Sequence, residues 1–374
     1  MQTQVSSLYF HYPFCRHLCN YCDFFKTKPQ DGAISQQGFY KHIYDSWEIL
    51  QKLLQENSIT LAPLKTLYFG GGTPSLWGEE GVNFLQSFFS EKKITLADQG
   101  EFTLEINPGD WNFSSFNKWK EFGINRFSMG LQSLNNHFLK VLDRDHDVQK
   151  AVETMSFLHQ QDVNFSVDLM LGLPFSQGEI KRDVITELKN ILKYDPDHLS
   201  VYILTTKAGY PHQSDLPSED YIADEYLLVS DFLRSQGYNH YEVSNFSKPQ
   251  KESRHNLEYW HSNSVLALGP SATGFLKLSA EKGLRYKWKI HEATLEEEIL
   301  NEKELWTEKL YLALRTNDGI WFPDFFSEEK CKKLQKWILM QSERNCLEFC
   351  NDKYRLTNRG YLLLDHLIGE LLGI

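Results

Sequence analysis

Strand-like apolar runs recur along the first part of the chain, at Leu8–Tyr12, Thr66–Phe69, Glu101–Ile106, Asn125–Leu131, Phe165–Leu171, His198–Leu204 and Tyr238–Val243. Between them lie helix-like stretches, at Gln36–Gln55, Gly81–Ser90, Ser115–Glu121, Val148–Gln160, Ile180–Lys193 and Glu219–Ser235. Some boundaries are written in the residues themselves: Ser35 is an N-cap candidate, and Gly237 stands just past an apolar helix end. Strand followed by helix, repeated many times, means parallel strands joined by helical crossovers. Six such units and a seventh strand suit an α/β fold built as an open, partial (β/α)6 barrel, which places chemistry at the C-terminal ends of its strands.

The alternation stops after residue 245. Residues 246–295 read as a connecting segment, and 296–374 as a separate C-terminal domain. There Glu296–Leu314 is helical in period and ends at Asn317-Asp318-Gly319, Glu328–Met340 is helical again, and Tyr354-Arg355-Leu356-Thr357 is a short strand leading into a helix from Asn358. Helices plus a short β element resemble a winged-helix module, an α+β unit best known for binding DNA. Residues 301–374 carry eleven basic and twelve acidic side chains, so structural packing is the better expectation.

Composition narrows the class. With 41% hydrophobic and 24% charged residues in 374, the chain is a folded globular protein. Its net charge of -11 repels a polyanion, and no nucleic-acid partner is expected. No apolar run reaches membrane-spanning length and no secretory leader is recognisable at the N-terminus, which points to the cytoplasm. In that reducing compartment a tight thiol cluster is for metal binding or catalysis rather than for disulfides.

Such a cluster exists. Cys15-x3-Cys19-x2-Cys22 directly follows the first strand, whereas Cys331, Cys346 and Cys350 are scattered and read as ordinary helix thiols. Three thiolates on one loop suit an iron–sulfur cluster or zinc. A structural zinc site wants a fourth ligand, which His11 or His17 could supply. Three protein ligands on a four-iron cluster would instead leave one iron open to a small molecule.

The stretch Leu8-Tyr9-Phe10-His11-Tyr12-Pro13-Phe14-Cys15 resembles the entry strand and cluster loop of radical S-adenosylmethionine enzymes. That resemblance implies a 4Fe-4S cluster on Cys15, Cys19 and Cys22, with the amino and carboxylate groups of S-adenosylmethionine chelating the open iron. Gly70-Gly71-Gly72-Thr73-Pro74 is similar to the family's glycine-rich element after the second strand. Glu105, Gln132 and Asp168 stand at or near the ends of later strands, and Arg144 in Leu142-Asp143-Arg144 matches the family's arginine. Together with Tyr9, Tyr21, Gly71, Gly72 and Thr73, they form the cofactor pocket that the resemblance implies.

Within the superfamily the resemblance narrows to the group around oxygen-independent coproporphyrinogen III dehydrogenase, and covers most of the chain. Two functional classes compete there: the dehydrogenase, an oxidative decarboxylase of haem biosynthesis, and a paralogous family of haem chaperones. Cys22-Asp23-Phe24 has the form seen in the chaperones where the enzyme has Gly-Cys, and only seven residues precede Leu8, against the enzyme's long N-terminal extension. Arg254-His255-Asn256-Leu257-Glu258-Tyr259-Trp260 contains the chaperones' haem-binding His-Asn-x-x-Tyr motif, and Tyr241-Glu242-Val243-Ser244-Asn245-Phe246 resembles the stretch before it. Haem is thereby implied as cargo, with Arg254, His255, Asn256 and Tyr259 as its residues: imidazole and tyrosinate are axial ligands, and arginine pairs with a propionate. The partner implied is a haem-accepting protein, a membrane respiratory component being one candidate. Two departures, Lys207 where the family has an acidic residue and Thr273 where it has a histidine, speak against dehydrogenase activity.

Overall fold

The computed structural model describes residues 3–29, 34–177 and 181–374. The first half of the chain runs β1 (Thr3–Tyr12), α1 (Gln36–Glu56), β2 (Ile59–Gly71), α2 (Gly78–Lys92), β3 (Leu96–Ile106), α3 (Phe113–Phe122), β4 (Arg126–Gln132), α4 (Asn136–Val141), α5 (Val148–Gln160) and β5 (Asn164–Leu171). It continues through α6 (Val184–Ile191), β6 (His198–Ile203), α7 (Glu219–Ser235), β7 (Asn239–Glu242), β8 (Asn245–Ser247), α8 (Arg254–Trp260) and β9 (Leu266–Leu268). The expected start of the sixth helix at Ile180 lies outside the described residues. Strands β1 to β6 pair in sequence order, all parallel, as repeated crossovers require.

The pleat sorts side chains into two faces. On the outer face Phe10 packs on Phe39 of α1 and on Trp77, with ring centroids 6.4 and 5.8 Å away, and Phe69 packs on Trp119 of α3 at 5.5 Å. The inner face is polar. Tyr68 donates to Glu105 at 2.9 Å, Ser128 to Asp168 at 3.3 Å, and Ser166 shares a 2.7 Å hydrogen bond with His198. Burial, and after it the Glu105 and Asp168 carboxylates on β3 and β5, raises the Tyr68 pKa, the inner faces of the strands lying together as in a partial barrel. These groups are buried or half-buried and depend on one another for partners.

Both sheet edges differ from expectation. The seventh strand does not extend the parallel series: β7 and β8 form an antiparallel pair, and β8 is the neighbour of β6. Only Val243 and Ser244 separate the two strands, too little chain for a parallel crossover. At the opposite edge β9 pairs in parallel with β1, completing the order β7-β8-β6-β5-β4-β3-β2-β1-β9. At three residues β9 is shorter than an ordinary strand, and no periodicity announces it.

Beyond it come β10 (Thr273–Lys277), β11 (Gly283–Trp288) and β12 (Leu295–Leu300), an antiparallel sheet, followed by α9 (Glu302–Arg315), α10 (Glu328–Glu343), the hairpin β13 (Leu347–Cys350) and β14 (Lys353–Leu356), α11 (Asn358–Leu362) and α12 (Leu364–Leu372). Helix, helix, short strand and helix thus appear in the expected winged-helix-like order, with β13 as an additional strand that pairs with β14. The segment 246–295 does more than connect, since it supplies α8, β9, β10 and β11. Glu296–Leu300, expected as helix, is strand: glutamates favour a helix, but Arg285 lies opposite Glu298 in the β11–β12 register and bonds it at 2.6 Å. The helix starts only at the Asn301–Glu304 capping box. No helix among the described residues is long and apolar enough to cross a membrane.

Candidate functional site

The loop after β1 is fastened at both ends by backbone hydrogen bonds. Cys15 N–H donates to the Thr27 carbonyl at 2.9 Å and Thr27 N–H to Pro13 at 2.8 Å, while Gly72 and Thr73 donate to Tyr12 and Phe14 at 2.7 and 2.9 Å. Glycine is required beside it. A Cβ on Gly72 would stand 2.6 Å from the Phe14 carbonyl oxygen, and Gly71 combines φ +110° with contact to the His11 ring. The glycine turn therefore presses directly on the cysteine loop.

Between them is a cavity of about 60 Å³ whose lining includes the predicted residues Cys15, Cys19, Cys22, Tyr21, Gly71, Gly72, Thr73 and Arg144, together with charged and polar residues that were not predicted, among them Arg16, Asn107 and Asp110. Thr73 Oγ1 donates to Cys15 Sγ at 3.6 Å; Arg144 Nη1 reaches Cys19 Sγ at 3.7 Å and Tyr21 at 3.3 Å. Burial raises the pKa of Cys15 to about 11 and raises that of Cys19, so both are held as thiols until a metal displaces their protons. A hydroxyl and a guanidinium already face the sulfurs that would become anionic.

Four predicted residues stand behind this cavity rather than in its wall. Glu105 accepts Gly71 N–H at 3.1 Å, and burial, with the Asp168 carboxylate adding to it, pushes its pKa up to about 7. Asp168 is pushed up to about 6, again by burial. Tyr9 shares a 3.0 Å hydrogen bond with His11. Gln132 is buried at φ +70°, beside Arg144 and Asn107 around Gly130.

Of the histidines of the zinc alternative, His11 is engaged elsewhere, its Nε2 pairing with the Phe25 carbonyl at 2.9 Å and its other nitrogen with Tyr9, whereas His17 lines the cavity and stands 2.9 Å from Asp143. Among the described residues no three His, Cys, Asp or Glu side chains converge closely enough to share one metal ion. The donor set is three soft thiols spread around a cavity, which fits a cluster rather than a single ion.

Asn107 was not singled out in the sequence, yet it ties the site together, donating to Thr73 Oγ1 at 3.0 Å and accepting from Arg144 Nη2 at 2.6 Å. Its position just past β3, one residue before Pro108, was the available sign. Lys207 donates to the Cys22 carbonyl at 3.2 Å, so this departure from the family pattern touches the cysteine loop.

The Arg254–Trp260 motif lies at the opposite end of the sheet. It is a helix, not a loop, capped by Ser253. Its first backbone N–H groups, of Arg254 and His255, donate to the Glu101 carboxylate at 3.1 and 3.0 Å, and Arg254 Nη1 reaches the Gln99 carbonyl at 2.6 Å. His255 is 1% exposed. It bonds Thr66 through Nδ1 at 2.9 Å, and its ring stands 5.2 Å from Tyr68 and 5.4 Å from Tyr259. Burial, and after it the Arg126 charge, lowers its pKa to about 3, and Nε2 has no partner among the described residues. Asn256 contributes its backbone N–H to the Ser253 cap. Thr66 and Gly71 are separated on β2 by roughly 17 Å of extended strand, so α8 stands apart from the cysteine loop, and the two sets of predicted residues approach each other only where Tyr68, bonded to Glu105 and stacked near Tyr9, meets the His255 ring.

Comparison with known proteins gives a consistent family. Residues 9–184 match the radical SAM superfamily model. The chain is 31% identical to the haem chaperone HemW of Lactococcus lactis, over 100% of this chain and 98% of that protein, and 31% identical to HemW of Bacillus subtilis, over 99% and 100%. In fold it resembles the radical SAM enzyme coproporphyrinogen III oxidase (HemN) of Escherichia coli, with a TM-score of 0.76 at 19% identity over 99% of this chain and 90% of that one.

Proposed function

This chain belongs to the HemW family of the radical SAM superfamily, and from that premise we propose that it is a haem chaperone which binds haem and passes it to an acceptor protein. Cys15, Cys19 and Cys22 would hold a 4Fe-4S cluster, and the glycine turn, Glu105, Gln132, Arg144 and Asp168 would hold S-adenosylmethionine on its open iron. When bound, that pair supplies one-electron chemistry or a ligated metal centre. The chain's own residues neutralise and orient: Arg144 and Thr73 face the sulfurs, and Glu105 fixes the Gly71 amide.

The observation that carries the carrier reading is α8. The stretch that separates carrier from enzyme in sequence is an ordered helix docked on the sheet through Glu101, with Tyr259 and Trp260 reaching a separate cavity of about 810 Å³. In this reading residues 1–245 hold the cofactors, 246–295 present the cargo, and 296–374 cover it. The test is anaerobic reconstitution followed by titration with ferric haem. Saturable haem binding, with the iron's spectrum shifted in Tyr259→Phe, supports the reading; a wild-type protein that binds no haem ends it. Turnover of coproporphyrinogen III at an enzyme's rate would transfer the assignment to the dehydrogenase.

A further inference from the structure

The 810 Å³ cavity is bounded by α8, β10 and α9, in the size range of small-molecule sites. Its wall is mostly apolar and aromatic, with Trp260, Phe275, Leu305, Trp306 and Leu312 among the lining residues. The charged groups that border it are sorted. Arg285 is held by Glu298 and Glu308. Lys277 and Lys309 are exposed and have no carboxylate partner among the described residues, Lys309 standing 5.4 Å from the Phe325 ring centroid. Glu302, exposed in the first turn of α9, is the remaining acid. Three bases against two acids thus border an apolar, aromatic space, which is complementary to a flat apolar ligand carrying carboxylates at one edge.

Of the predicted haem residues only Tyr259 lines this cavity; Arg254, His255 and Asn256 do not. Resting on the carrier reading, we propose that haem lies in the cavity between α8, β10 and α9, its propionates toward Lys277 and Lys309 and its metal toward Tyr259. His255 is then a positioning residue, which packs behind Tyr259 and holds α8 against Thr66 on β2.

The full-length reconstituted protein is titrated with ferric haem and with iron-free protoporphyrin IX, followed by quenching of tryptophan fluorescence and by the haem spectrum. Leu312→Trp fills the cavity and should weaken both ligands at least about tenfold. Lys277→Glu combined with Lys309→Glu changes only exposed positions, should fold normally, and should weaken both ligands by about tenfold at low salt and by less at high salt. Tyr259→Phe should shift the haem spectrum and leave protoporphyrin binding unchanged. Wild-type haem binding with Leu312→Trp and the double lysine variant both unaffected would overturn the cavity assignment while leaving the carrier intact. Protoporphyrin that binds and is displaced by Leu312→Trp, in a protein that takes up no haem, would keep the cavity and end the carrier reading. Binding of neither ligand overturns both.

Discussion

The two ends of the parallel sheet hold site residues of similar kinds and use them in opposite ways. At the C-terminal ends of the strands, small residues make room: Gly71 and Gly72 let backbone close on backbone, and the thiols border the cavity that results. At the N-terminal ends His255 fills room, lying among Thr66, Tyr68 and Tyr259 at 1% exposure. One end is built around a guest and the other is closed by its own side chain. On the proposed assignment, a motif residue shapes a ligand's site without touching the ligand.

The largest effect that separates the ends is loss of the metal. If Cys15, Cys19 and Cys22 hold the proposed cluster, Cys19→Ala removes one of three soft ligands, and iron and sulfide after reconstitution should fall to less than about a tenth of wild type. Haem titration should be unchanged, because the Arg254–Trp260 segment is fixed to β2 and β3 rather than to the cysteine loop. A matching loss of haem affinity in a normally folded Cys19→Ala would break the comparison. The connection responsible would then be Gly71 to Glu105 to Tyr68 to the His255 ring, the continuous contact between the ends.

Next in size is the cost of opening the closed end. His255→Ala removes a buried ring and leaves Thr66 without its partner, which should lower unfolding stability by about 2–4 kcal/mol. Urea unfolding measures it, and cluster content should be unaffected. A loss under about 1 kcal/mol would mean that His255 is not the plug described, and would return it to the list of direct ligands.

How much of this the sequence announced follows from how local each feature is. The cysteine loop and glycine turn are contiguous stretches whose residue types admit few conformations, so their chemistry and their nearness to each other were both readable. The parallel strands were readable from their alternation with helices. Features set by distant partners were not. Strand β12 is a strand because β11 lies opposite it, Asn107 matters because Arg144 and Thr73 come from other strands, and His255 is buried because Thr66 and Tyr68 receive it. The cavity beside Tyr259 is assembled from three separate parts of the chain and has no linear signature.

The smallest expected effect is in the pH dependence of stability, where Glu105 and Asp168 should pull in the opposite direction to His255. At the closed end His255 has its pKa lowered by burial to about 3, against about 6.5 in an unfolded chain. Below pH 6.5 the unfolded state takes up a proton that the folded state refuses, so the contribution is complete above that pH and is lost as pH falls toward 3. At the guest end Glu105 and Asp168 are raised by burial to about 7 and about 6. The folded state keeps protons that unfolded carboxyls release near pH 4, so their contribution is complete below about pH 4, is lost as pH rises from there to 6 and 7, and does not change further above. His11, His146 and His240, each lowered by burial to about 4, add to the acid-side loss. Glu105→Gln and His255→Gln separate the two ends. Denaturant midpoints between pH 4 and 8 should show Glu105→Gln relieving a loss that runs upward from about pH 4 to about 7 and His255→Gln relieving one that runs downward from about pH 6.5, each slope changing by at most about 1.4 kcal/mol per pH unit. Parallel curves for wild type and both variants would mean that neither group is held in the state assigned to it, and the contrast between an end built for a charged guest and an end sealed by a neutral ring would fail on its electrostatic side.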